Sequence, residues 1–277
     1  MKLFSSVALE ISAVCNRACT FCPNAYNKRP DEQMSWQLLE KAAAELRALS
    51  YRGRIEFYIY NEPCRDMEWL LKAIRYFREV VPKACLMIAT NGDYLRGPKS
   101  IDALWAAGLN QLVINCYSPG LYAKRLQWLD GQPQGRPLYA YISPRVRSVA
   151  MFDKSTIVGF GNNVFQIQNR AGNIAPYRQP VMKPLERMCV KPFRFFNIDW
   201  CGHALICCND YHAAHSFGNL NDSTLVQLWN HPMLNTYRRE LVKKNRNTPM
   251  CKTCDCPSGA RPYYITSSEG PYVKELK

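Results

Sequence analysis

Apolar and polar positions follow two alternating rhythms along the first 120 residues. "VALEISAV" (7–14) alternates at every second position and predicts a strand. "RIEFYIY" (54–60), "ACLMIAT" (84–90) and "QLVINCY" (111–117) are further short β-rich runs. Between them the period lengthens. "SWQLLEKAAAELRAL" (35–49), "DMEWLLKAIRYFREV" (66–80) and "SIDALWAAG" (100–108) predict helices, the first capped by Ser35 and the last closed by Gly108. Strands alternating with helices imply an α/β fold whose parallel sheet is open or curled into a partial barrel.

The rhythm weakens past residue 130. "DGQPQGRP" is a turn-rich connector, and "RSVAMF" and "VFQIQN" predict strands. "NRAGNIAPYRQPVMKP" (169–184) reads as a boundary, which divides the chain into an α/β domain over 1–180 and a small cysteine-rich domain over 181–277. The second part holds one long helical pattern, "STLVQLWNHPMLNTYRREL" (223–241), which Pro232 is expected to kink or split.

Composition sharpens this picture in one respect. No apolar run approaches membrane-span length, and "MKLFSSVALEIS" lacks the apolar core of a secretory signal, so the expected compartment is the cytoplasm. In a reducing compartment, closely spaced thiols indicate metal or redox chemistry rather than disulfides. Of the thirteen cysteines, Cys15, Cys19 and Cys22 lie near the start and seven fall between Cys189 and Cys256. The net charge of +14 suits an anionic substrate, an acidic protein partner, or simply a basic soluble surface. No nucleic-acid-binding motif accompanies it.

The spacing C-x3-C-x2-C supplies three thiolates from one loop, one short of a closed tetrahedral zinc site. It suits a [4Fe–4S] cluster with one iron left open to an exogenous ligand, and Phe21 stands where a flat ring could rest. "CNRACTFC", placed after the first strand, resembles the signature of the radical S-adenosylmethionine (radical SAM) superfamily. The resemblance implies a partial (β/α)6 barrel in which the three cysteines hold the cluster. The open iron would bind S-adenosylmethionine, and its reductive cleavage would give a 5′-deoxyadenosyl radical that abstracts a substrate hydrogen. "YNEPCRD" resembles that family's G-G-E-P segment, with Asn61, Glu62 and Pro63 beside the cofactor and Glu62 on the methionine ammonium. "ATNGD" matches its T-N-G turn through Thr90, Asn91 and Gly92. Asn115 and Ser118, in "INCYS", are candidates for the ribose.

The later cysteines resemble the SPASM/Twitch auxiliary-cluster domain of the same superfamily, through "GHALICC", "FGNL" and "CKTC". That resemblance implies Cys189, Cys207, Cys251 and Cys254 as four ligands of a second [4Fe–4S] cluster. Zinc on the same thiolates is the physical alternative. Cys201 and Cys208 are left over and are expected as small buried hydrophobes. Cys256 and Cys64 are candidate hydrogen donors to a substrate radical. Arg170, in "NRAG", would hold a substrate oxygen, and Asp210 would accept a proton or merely close a turn.

Likeness along nearly the whole chain favours dehydrogenation of an alcohol, with the auxiliary cluster as electron acceptor. A substrate that is a small polar sugar, cyclitol or nucleotide-like molecule, of anionic character, is expected. Epimerisation through Cys256 or Cys64, peptide maturation, and a non-enzymatic iron–sulfur electron carrier are the alternatives. A flavodoxin- or ferredoxin-type reductant is the expected protein partner of a monomeric chain.

Overall fold

The computed structural model describes residues 3–117, 120–132, 148–153 and 168–256. Its centre is a sheet of seven strands: β1 (Ser6–Leu9), β2 (Arg54–Glu56), β3 (Cys85–Thr90), β4 (Gln111–Cys116), β5 (Ser148–Asp153), β6 (Phe195–Ile198) and β7 (Ala204–Leu205). The order is β5-β4-β3-β2-β1-β6-β7, parallel throughout except for the antiparallel β6–β7 pair. Neighbours in the sheet from β1 to β5 are neighbours in sequence. With right-handed crossovers, such an order places every connecting helix on one face, the winding of a partial barrel.

The helices form where the apolar stripe predicts. α1 (Trp36–Ala48) starts at Ser35, whose side chain accepts the Leu38 N–H, and buries Leu38, Leu39, Ala42, Ala43 and Leu46. α2 (Met67–Val80) is capped by Asp66 and buries Leu70, Ala73, Ile74 and Phe77 at helical spacing. α3 (Pro98–Ala107) ends at Gly108, which takes φ +104°. α4 (Leu121–Arg125) follows β4, and α5 (Lys191–Arg194) leads directly into β6. The long C-terminal helical pattern is two helices, α6 (Leu225–Trp229) and α7 (Pro232–Val242), with His231 capping the second. Pro232 therefore splits the helix rather than kinking it: without an N–H it is suited to a first turn.

Strands 1 and 2 are shorter than their apolar runs. The chain after Leu9 and after Glu56 bends into loops that carry Glu10, the three N-terminal cysteines and Glu62. The predicted strand "VFQIQN" lies almost wholly outside the described residues, as does Ser118. β6 and β7 join the sheet without any strand-like pattern having been read in their residues. They extend the sheet across residue 180, so the cysteine-rich segment is built onto the barrel edge. Phe4 seals that junction: its ring lies 5.1 Å from Phe196 and 5.3 Å from Trp229, all three buried.

Candidate active site

The C-terminal ends of the parallel strands gather the candidate chemistry, the usual place in such sheets. Cys15, Cys19 and Cys22 lie half-buried on one loop after β1. The loop is tightened by the Cys22 N–H donating to Cys19 O at 2.8 Å. The Arg17 N–H and the Asn91 side-chain amide both point at Cys15 Sγ, at 3.5 and 3.8 Å. Burial pushes all three thiols up, Cys15 to about 11. Three thiols on one loop, one of them already met by N–H donors, fit a thiolate-held cluster, whose ligands are stabilised by such bonds. Phe21 packs 5.3 Å from Tyr117 and 6.4 Å from Tyr177.

Glu62 follows β2 and is 3% exposed. One carboxylate oxygen accepts from Thr90 Oγ1 and the Cys64 N–H, and the other accepts the Asn91 N–H at 2.7 Å. All three donors are neutral, and among the described residues no cation pairs with it. Burial pushes its carboxyl up. A buried carboxylate lacking a counter-charge fits a ligand ammonium. Thr90 and Asn91 thus hold Glu62, and Pro63 opens the short helix Pro63–Arg65 beside it. Asn61 is placed otherwise than expected: its amide is taken up by Phe57 O and the Ile59 N–H of its own loop. Gly92 takes φ +75°, and a Cβ there would come within 2.8 Å of Arg125 and 2.9 Å of Ile114. Asn115, at the end of β4, has a buried Oδ1 with no hydrogen-bond partner, which fits a hydroxyl donor.

Three residues of this centre escaped the sequence reading. Asp93, next after the Asn-Gly turn, receives Arg17 Nε at 2.6 Å and Nη2 at 2.7 Å, and Arg125 approaches it to 3.6 Å. Both arginines therefore tie the β3 turn to its surroundings. The only sequence trace was their place inside or beside the motifs.

Arg170 adopts φ +52° and carries a buried Nε without a partner. Burial works against its charge, but Tyr60, Cys208, Cys22 and Tyr117 around it hold the guanidinium charged. Tyr60 also has a buried hydroxyl without a partner. Its position is fixed by its N–H donating to Glu10 at 2.9 Å and its ring meeting Tyr211 edge-on at 4.9 Å. These two unpartnered donors both lie near Cys22 of the first cysteine loop.

Three of the expected residues have surroundings the sequence did not show. Asp210 is turned into its own loop, where both oxygens accept the His215 N–H at 3.3 and 3.1 Å, closing a turn. Cys64 is 0% exposed within the apolar core, its N–H bonded to Glu62. Cys256 is 2% exposed and sits among the other C-terminal thiols, hydrogen-bonded to Cys189 and Cys254. Of the thiols not expected as cluster ligands, Cys208 lies near Arg170, and it is 3.7 Å from Lys191 Nζ. Adjacent positions on a turn point to opposite sides, and sequence spacing does not say which side a thiol takes.

The C-terminal thiols line one cavity: Cys189, Cys207, Cys251 and Cys254, with Cys256 as a fifth. The Asn209 N–H points at Cys207 Sγ at 3.3 Å and the Cys256 N–H at Cys254 Sγ at 3.4 Å. Lys191, held charged against burial by the surrounding cysteines, and Arg246, 2% exposed, supply positive charge. Four thiols, N–H donors and two cations fit an anionic thiolate-held cluster.

The sequence signature of the radical SAM superfamily matches residues 9–122, and that of SPASM, an iron-sulfur cluster-binding domain, matches residues 189–256. The protein is an enzyme that carries a radical SAM domain and a SPASM domain and uses S-adenosylmethionine and two [4Fe–4S] clusters. Among particular relatives, it is 25% identical over 258 residues to the S-adenosyl-L-methionine-dependent 2-deoxy-scyllo-inosamine dehydrogenase of Niallia circulans, covering 92% of this chain and 94% of that protein. The fold matches the crystal structure of BtrN in complex with AdoMet and 2-DOIA, with TM-score 0.73 and 24% identity over 92% of this chain and 94% of that one. It also matches anSMEcpe with bound AdoMet, with TM-score 0.53 and 12% identity over 94% and 90% of the two chains. No helix among the described residues is long and apolar enough to cross a membrane.

Proposed function

We propose that this enzyme oxidises a secondary alcohol of a small polar substrate, of the cyclitol or sugar class, bound between the two cysteine centres. Cys15, Cys19 and Cys22 hold the first cluster, and Cys189, Cys207, Cys251 and Cys254 the second. The division at residue 180 then separates radical generation from the auxiliary centre. When bound, the first cluster and S-adenosylmethionine supply a carbon-centred radical able to take a hydrogen atom from the substrate. Glu62 binds the methionine ammonium, and the Asn115 carbonyl accepts from a ribose hydroxyl. Arg170 and Tyr60 orient the substrate oxygen. A guanidinium beside the hydroxyl favours loss of its proton to solvent. With one hydrogen atom taken by the radical, the remaining electron would pass to the second cluster, which completes the two-electron oxidation.

The observation that carries this reading is the pair of buried, unpartnered donors on Arg170 and Tyr60. Buried polar atoms are nearly always paired, so these two point to an absent oxygen-rich ligand. The whole-length relative is a dehydrogenase of an aminocyclitol alcohol, which supports the substrate class. The basic surface supports docking of an acidic flavodoxin- or ferredoxin-type reductant. Substrate-dependent cleavage of S-adenosylmethionine by the wild type and Arg170→Lys tests the reading. Retained binding with turnover lowered about 100-fold supports it, while unchanged turnover opposes it.

One observation favours a second reading. Cys208, beside Arg170, is the thiol placed to return a hydrogen atom and invert a carbon centre. This role passes from Cys256 and Cys64 to Cys208 if the product keeps its hydrogen count.

A further inference from the structure

We propose that the turn between β6 and β7 is a third metal site, for a zinc-class divalent ion, built from Asp199, Cys201 and His203. His203 Nδ1 lies 3.0 Å from Cys201 Sγ and 3.0 Å from Asp199 Oδ2, and Cys201 Sγ lies 3.4 Å from Asp199 Oδ1. One ring nitrogen offers a single proton or a single lone pair, so an ordinary hydrogen bond accounts for only one of its two close neighbours. One ligand atom from each of the three residues lies within 4.8 Å of the other two, so together they describe one face of a coordination shell. Zinc, held at about 2.3 Å by sulfur and about 2.0–2.2 Å by nitrogen and oxygen, spans such a triangle. A mixed sulfur, nitrogen and oxygen set belongs to that borderline-soft class rather than to magnesium or calcium.

The turn is held in this shape without help from the ion. Asp199 Oδ1 accepts the N–H groups of Cys201 and His203 at 3.2 and 2.7 Å, which orients Oδ2 toward the imidazole. The Cys201 carbonyl accepts from the amides of Asn219 and Asn221 at 3.1 and 3.2 Å. Gly202 takes φ +97°, and a Cβ there would lie 2.5 Å from Asn219 Oδ1. Ligands on a pre-shaped turn bind with little ordering cost. The Asp199 side chain is 5% exposed and that of His203 40%, so a fourth position opens to water. None of the seven cysteines given to the clusters takes part. An ion here would pin the turn that delivers the chain through β7 to Cys207.

The test uses the full chain, reconstituted anaerobically with iron and sulfide, equilibrated with zinc sulfate and desalted. Zinc and iron per chain are measured for the wild type, His203→Gln and Cys201→Ser. About one zinc per wild-type chain, lowered about tenfold in both variants with iron unchanged, supports the site. Equal zinc in all three proteins, or none retained by the wild type, overturns it. Iron content reports the cluster assignment separately. Should either variant fail to take up iron, zinc-edge X-ray absorption of the wild type decides. One sulfur with nitrogen and oxygen neighbours supports the site, and a shell of three or four sulfurs places the zinc in a cluster nest and overturns it.

Discussion

Arg17 and Asp93 form a two-pronged ion pair, 2.6 and 2.7 Å, that joins the first cysteine loop to the turn after β3. The pair is partly exposed, so its effect on global stability is small, on the order of 1 kcal/mol. Its consequence is geometric: the Asn91 amide reaches Cys15 and Asn16 only while this turn is in place. Asp93→Asn is expected to leave the unfolding midpoint nearly unchanged while accelerating iron loss to a chelator by about tenfold. Equal release rates in the two proteins would contradict the coupling.

Glu62→Gln keeps shape but removes the charge that the proposed function sets against the cofactor ammonium. Affinity for S-adenosylmethionine should fall about tenfold or more, with iron content unchanged. Burial raises the Glu62 carboxyl, so it takes up a proton at higher pH than an exposed glutamate. Wild-type affinity should therefore weaken as pH falls toward that raised value, and the Gln variant should lack this limb. Calorimetric titration across pH, with matched profiles for the two proteins, would count against the contact.

The five-thiol nest separates ligand from bystander. Cys207→Ala should lower iron and sulfide from about eight to about four per chain, whereas Cys256→Ala should keep about eight. Loss in the Cys256 variant would bring that thiol into the ligand set.

Asp210 accepts the His215 backbone N–H with both carboxylate oxygens. Asp210→Asn should retain at least about half of wild-type turnover, since its role is to close a turn. A loss of more than about 100-fold would restore it as a proton acceptor.

Much of the active centre was legible because its chemistry is local. Cys15, Cys19 and Cys22 sit on one loop, Glu62 lies on the loop that follows β2, and Thr90 ends β3. Helices α1 and α3 were legible for the same reason, through Ser35 and Gly108 at their ends. What escaped notice depends on long-range placement. Phe195–Ile198 becomes a sheet strand only because β1 has a free edge beside it. Arg17 and Asp93 are 76 residues apart. The choice between Cys208 and Cys256 as the thiol near Arg170 turns on side-chain direction in loops with no periodic pattern.

The central claim concerns the fate of the substrate carbon, and product analysis in deuterated water tests it most directly. The reduced enzyme is given S-adenosylmethionine and a panel of aminocyclitols and sugars that includes 2-deoxy-scyllo-inosamine. Oxidation predicts a product lighter than its substrate by two hydrogens, with no solvent deuterium fixed at carbon. A product of unchanged hydrogen count carrying deuterium at one carbon, and losing it in Cys208→Ala, would contradict the dehydrogenase assignment.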